Sequence, residues 1–95
     1  MKREDFVFTI GFQGDSAVID GPARRKYGTL GFAELLEQGL YRPAFCAAVY
    51  DGEIEAFKQK FTALTGESPE NETALKRLFG VFDIPDTVEK SIVVG

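Results

Sequence analysis

Large apolar residues alternate with other residues near the start of the chain, and this alternation constrains the fold more than any other feature. The residues of FVFTIGF that fall on one side of an extended backbone are Phe6, Phe8, Ile10 and Phe12. A period of two with aromatic and β-branched residues predicts a strand that is buried on one face. Such a strand needs a partner strand and a layer that covers its apolar face.

A tight turn directly after this stretch supplies the partner strand. Gly14 and Asp15 can form a two-residue hairpin turn, because glycine readily adopts the positive φ that such a turn requires. The turn pairs Gln13 with Ser16, Phe12 with Ala17, Ile10 with Ile19, and Phe8 with Gly21. Turn chemistry and apolar pattern select the same register, which is typical of a hairpin. We therefore predict that one face of the sheet buries Phe8, Ile10, Phe12 and Ile19.

Three later stretches carry apolar residues at the spacing of helices. We expect Thr29 to cap the first helix, Asp51 to cap the second, and Ser68-Pro69 to open the third. Gly66 is positioned to end the second helix. The three apolar stripes consist of Phe32, Leu35, Leu36 and Leu40, of Ile54, Phe57, Phe61 and Leu64, and of Leu75, Leu78, Phe79 and Phe82.

Two further segments are short and strongly apolar. Residues 43–50, PAFCAAVY, are too uniformly apolar for periodicity to separate helix from strand. Three alanines and an initial proline favour a helix, with a break at Asp51-Gly52. The C-terminal SIVVG is typical of a strand, which would bury Ile92 and Val94 if it joined the hairpin.

These segments together predict an α+β fold in one domain, residues 1–95. An N-terminal antiparallel β-hairpin, to which the C-terminal segment can add a third strand, packs against three or four helices. The sheet is then a small antiparallel one. The length of 95 residues and the apolar content of 44% suit one modest core.

Charge and residue counts exclude several kinds of chemistry. The net charge of -4 disfavours non-specific attraction to nucleic acid or to an anionic membrane. With no His and one Cys, the chain has no residues for a Ser-His-Asp or Cys-His site, an internal disulfide or a thiolate zinc site. We expect no cofactor, no metal and no membrane segment, a cytoplasmic location, and a buried, unreactive Cys46.

A basic stretch between the hairpin and the first long helix is one candidate site. It consists of Arg24, Arg25, Lys26 and Tyr27, which combine charge for phosphate with a ring that can stack on a base. This combination favours nucleic-acid or anion binding. In the other interpretation, the stretch is a short helical turn whose charges are solvated and protect the sheet edge from unwanted strand pairing.

The aromatic content points to a second candidate site. Nine Phe and three Tyr exceed what we expect one small core to hide, and leftover apolar surface usually marks an interface. Tyr and Arg are also enriched at interface hot spots. The candidate binding residues in the segment after the first long helix are Tyr41, Arg42, Phe45 and Tyr50.

The sequence therefore predicts a small non-catalytic binding module that contacts another protein or a second copy of itself, as in a homodimer. The first alternative is a nucleic-acid or anion-binding module that uses residues 24–27. The second alternative is an enzyme whose site forms at a subunit interface from carboxylate, Tyr or Lys side chains.

Overall fold

A computed structural model of the chain describes residues 2–81 and 90–95. Within these residues, six helices and a three-stranded sheet confirm the predicted α+β class. In chain order, the elements are α1 (Arg3–Val7), β1 (Thr9–Gln13), β2 (Ser16–Asp20), α2 (Gly21–Tyr27), α3 (Phe32–Glu37), α4 (Tyr41–Asp51), α5 (Ile54–Thr65), α6 (Glu72–Phe79) and β3 (Lys90–Val94).

The sheet has the strand order β1-β2-β3. The predicted hairpin is confirmed at its turn, where Gly14 has a φ of 60° and Phe12 pairs with Ala17. The predicted third strand is also confirmed, but it lies parallel to β2, so the expectation of an all-antiparallel sheet is wrong. A parallel neighbour needs a long crossover, and here the helical part of the chain separates β2 from β3.

The N-terminal end of the predicted hairpin differs from the sequence expectation. Residues Arg3–Val7 form α1, so Phe6 belongs to a helix rather than to the strand. Thr9 pairs with Ile19 and Gly11 with Val18, which leaves Ile10 as the extra residue of a β-bulge. The expected pair of Ile10 and Ile19 is therefore wrong, because the bulge moves every residue before it by one position.

The bulge changes which residues are buried. Phe8 and Ile19 are buried as predicted, but Ile10 is 58% exposed, and Phe12 is 46% exposed although it keeps its partner Ala17. Burial of Ile10 and Phe12 is therefore a wrong prediction. Ile10 turns outward at the bulge, and Phe12 lies one residue from the end of β1 next to the turn.

The core joins the inner face of the sheet to the helices in one buried cluster. The segment 43–50 is helical, as favoured, and lies in α4, which contacts α1, α3, α5 and α6. Phe45 is fully buried in α4, with its ring centre 5.3 Å from that of Phe57 and 5.4 Å from that of Phe79. Phe45 is thus a central core residue.

Two of the predicted helix ends are confirmed. Gly52 and Gly66 both have positive φ values, 71° and 77°, and they end α4 and α5. Glycine suits these positions because a left-handed backbone strains residues that carry a Cβ.

The predicted helix starts are wrong by two to three residues. Gly31, Glu53 and Asn71 precede α3, α5 and α6, in place of Thr29, Asp51 and Ser68-Pro69. Asn71 Oδ1 accepts a hydrogen bond from the Ala74 N–H at 2.9 Å, so an Asn side chain supplies the cap. Of the stripe residues, Leu64 and Leu78 are exposed, and Phe82 lies outside the described residues.

Candidate interaction surface

The candidate residues of α4 do not form one surface. Tyr41 and Tyr50 are nine residues apart, and a rotation of about 100° per residue places them on opposite sides of the helix. Both are exposed, yet Tyr41 packs edge-on against Phe61 at 5.9 Å between ring centres, and Tyr50 lies 6.1 Å from Phe6. Phe45 is buried and cannot contact a partner, so its selection as a binding residue is wrong.

Arg42 holds three elements together. Its Nε donates a hydrogen bond to the Phe79 carbonyl oxygen at 3.1 Å, and its Nη1 donates to the Thr9 carbonyl oxygen. The side chain is half-buried, and these bonds join the start of α4 to the end of α6 and to the bulged part of β1. The structure therefore gives Arg42 a role inside the chain.

Cys46 lies in the core beside Arg42. The side chain is buried, and burial raises the pKa of its thiol to about 11, while the Arg42 charge offsets part of that rise. A thiol with this pKa is almost entirely protonated at neutral pH and is a poor nucleophile. Residues 2–81 and 90–95 contain no group of three or more His, Cys, Asp or Glu side chains that could hold a metal ion.

The basic stretch forms the helix α2, and its charges have contacts within the chain. Arg24 donates to the carboxylate of Asp5, which is buried, and Arg25 donates to the Gly95 carbonyl oxygen at 3.0 Å. The ammonium group of Lys26 lies 5.3 Å from the centre of the Tyr27 ring. Two of the three basic side chains thus fasten α2 to α1 and to the end of β3.

A cleft of about 370 Å³ opens beside this stretch. Its lining residues are Lys2, Glu4, Arg24, Gly28 and Thr29. The charges in the cleft are mixed, because Glu4 faces the two cations and Arg24 is already paired with Asp5. This arrangement neutralises part of the positive charge that an anion would need.

The sheet carries an apolar surface that sequence reasoning missed. Nine large apolar side chains are exposed among the described residues, and five of them lie on β1 and β3. These five are Ile10, Phe12, Ile92, Val93 and Val94. The third strand was expected to bury Ile92 and Val94, and this expectation is wrong because all of β3 is exposed.

The side of the sheet away from the helices is open. Gly11, Val18 and Ile92 form one row across the three strands, and Asp20 and Val94 form the next row on the same side. A Cβ added at Gly11 would have no described atom within 4 Å, and Ile92 is 40% exposed, so both ends of this row are open among the described residues. We call the surface of Gly11, Val18, Ile92 and Val94 the outer face.

Comparison of the chain with protein-family models, with curated proteins and with solved structures finds no match. No helix within residues 2–81 and 90–95 has the length and apolar character that a membrane span requires.

Proposed function

We propose that this protein is a non-catalytic binding module that contacts another protein through its β-sheet. The observation that carries the proposal is the outer face of the sheet, on which Ile92 and Val94 are each 40% exposed. Exposed apolar patches of this kind usually mark an interaction surface, since burying them against a partner removes them from water.

The outer face is suited to a flat protein partner. Gly11 has no side chain, and Val18 and Ile92 continue its row across the sheet. This row carries no charge, and Lys90 and Asp20 lie in the rows on either side of it, so a partner centred on the row would cover mainly uncharged surface. The expected cytoplasmic location stays a prediction.

The alternative of nucleic-acid or anion binding through residues 24–27 has weaker support. Arg24 would have to leave the buried Asp5 carboxylate, and Arg25 would have to leave the end of β3. Removing one partner of a largely buried ion pair is costly, because it leaves the other charge without compensation.

The proposal is tested by affinity capture from the producing cells with three forms of the full chain. Wild type is compared with Gly11→Glu, which adds a charge to the outer face where there is open space, and with Leu64→Glu, a matched change at an exposed helical position. We expect wild type and Leu64→Glu to retain the same protein at low and at moderate salt, and Gly11→Glu to lose it.

Two results would contradict the proposal. One is retention of the same protein by Gly11→Glu, which would place the contact elsewhere. The other is retention of nucleic acid that is released steeply by salt, which would favour the basic stretch.

A further inference from the structure

The two edges of the sheet differ in how they are protected against strand pairing. β1 contains the bulge at Ile10, and Arg42 donates to the Thr9 carbonyl oxygen beside that bulge. Bulges and positioned charges are devices that block the edge of a sheet. β3 has no bulge, because it pairs with β2 without irregularity from Lys90 to Val94, and its one charge, Lys90, lies at the start of the strand.

The β3 edge presents backbone groups with which a further strand can pair. Within residues 2–81 and 90–95, β3 pairs with β2 alone, so its other edge offers backbone N–H and C=O groups. Ile92, Val93 and Val94 on this strand are each 40–43% exposed. An edge that is regular and apolar over its last three residues is a template for another strand.

We propose that β3 pairs with β3 of a second copy of this chain, antiparallel and about a two-fold axis perpendicular to the sheet. This inference rests on the proposed function, because it uses the same sheet for binding, and it adds a second copy of the chain as a partner at the β3 edge. The register that uses all five residues places Ile92 opposite Ile92 of the second copy. It also places Ser91 opposite Val93, and Lys90 opposite Val94.

The charge of Lys90 favours antiparallel over parallel pairing of the two β3 strands. Lys90 is the only charged residue of β3, and antiparallel pairing separates the two copies of Lys90 by four residues, about 13 Å along the strand. A parallel pairing in register would place the two lysines side by side, and like charges directly opposite each other destabilise a sheet.

The same register brings Lys90 close to an acidic residue of the other copy. Asp20 pairs with Val94 on the neighbouring strand, and Val94 would face Lys90 of the second copy. Asp20 and that lysine then share one row of the sheet, two strand spacings or about 10 Å apart between Cα atoms. The Asp20 carboxylate caps α2, where Oδ1 accepts from the Ala23 N–H at 3.2 Å, and Lys90 of the second copy would lie near this negative charge, twice about the two-fold axis.

The pairing also extends the outer face. A two-fold axis perpendicular to the sheet keeps the helices of both copies on one side and forms a six-stranded sheet. The rows of Val18 and Ile92 then continue from one copy into the other on the open side. The β1 edges, protected by the bulge and Arg42, become the ends of the assembly, so growth stops at two copies.

The test measures the mass of the full chain in solution over a range of concentrations by analytical ultracentrifugation. Wild type should shift from monomer to dimer as its concentration rises, and the shift should survive moderate salt. Ile92→Lys and Ile92→Glu should each weaken the dimer by about ten-fold or more, because each places two like charges opposite one another. An equimolar mixture of the two variants should recover a dimer, and Leu64→Lys should dimerise like wild type.

An independent readout covers the case in which a charged variant fails to fold. Ile92→Cys should form a disulfide-linked dimer under mild oxidation much faster than Leu64→Cys, because the proposed register brings the two copies of residue 92 together. A monomeric wild type at every concentration, no recovery in the mixture, or equal crosslinking of the two cysteine variants would each overturn β3 pairing. None of these results removes the outer-face contact, which the Gly11→Glu capture tests separately with a different protein as the partner.

Discussion

Gly21 lies against the backbone of Val94, and this contact fastens the start of α2 to β3. A Cβ built on Gly21 would lie 2.7 Å from the Val94 carbonyl oxygen and 2.9 Å from Cγ1 of Val93. Arg25, one turn later, donates to the Gly95 carbonyl oxygen. Besides its ladder with β2, the third strand is thus held by one close backbone contact and one hydrogen bond from the basic stretch.

Gly21→Ala should weaken the attachment of β3. The added methyl group meets backbone on one side, so the strand must shift, at a cost of about 1–3 kcal/mol in the free energy of unfolding. Chemical denaturation measures this cost, and amide hydrogen exchange should quicken at residues 90–94. Gly11→Ala is the matched control, because its Cβ meets nothing within 4 Å. Unchanged stability and exchange in Gly21→Ala would show that the contact does not hold β3.

Arg24→Gln should cost more stability than Arg25→Gln. Arg24 pairs with the Asp5 carboxylate, which is largely buried, whereas Arg25 is exposed and bonds a carbonyl oxygen. We expect a loss of about 1–3 kcal/mol for Arg24→Gln and below about 1 kcal/mol for Arg25→Gln. A double-mutant cycle with Asp5→Asn measures the coupling energy between Arg24 and Asp5. Equal losses for the two arginine variants, with no coupling energy, would mean that the Arg24 side chain is available to bind a ligand.

Cys46 should make stability fall at alkaline pH. Burial raises the pKa of its thiol to about 11 in the folded protein, so the folded state holds the proton more tightly than the unfolded state. The protonated thiol contributes its full stabilisation of the folded state below the unfolded pKa of about 9. This stabilisation, at most about 3 kcal/mol, is lost as the pH rises toward 11. The difference in unfolding free energy between wild type and Cys46→Ala should therefore change across this interval. A difference that stays constant from pH 8 to pH 11 would be incompatible with a buried thiol.

Because of the bulge, alanine substitutions of two isoleucines should lower the free energy of unfolding by different amounts. Ile19→Ala should cost about 2–5 kcal/mol, because Ile19 is fully buried, and Ile10→Ala should cost below about 1 kcal/mol. Denaturation of both variants under the same conditions measures the two values. Similar large losses of stability for both variants would contradict the bulge and support a regular register in which Ile10 pairs with Ile19.

The parts of the fold that could be predicted depend on local chemistry. Gly14 fixes the hairpin turn and the pair of Phe12 and Ala17, and Gly52 and Gly66 end their helices, because each of these effects involves neighbouring residues only. The bulge at Ile10 could not be predicted, since the apolar alternation of the sequence continues unchanged through it. The direction of β3 depends on the path of the whole helical part of the chain.

The candidate site was harder to predict, because it depends on contacts between residues that are distant in the sequence. Phe45 looks unassigned in the sequence because the middle of α4 is apolar on all sides, and all of residues 44–48 are buried. The ties of Arg42 and Arg24 to distant backbone and to Asp5 cannot be read from spacing along the chain. The exposure of the outer face depends on where the helices pack, and the local sequence of the strands does not determine this.

The most direct test of the account follows the amide resonances of the full chain by nuclear magnetic resonance as the protein is diluted. Association through the β3 edge predicts that concentration-dependent shifts fall on residues 90–94 and, more weakly, on their partners 16–20 in β2, with little change at residues 10–12, Tyr41 or Tyr50. Shifts confined to α4 or to the basic stretch, or a spectrum of unchanged monomer at every concentration, would contradict association of the chain through its sheet.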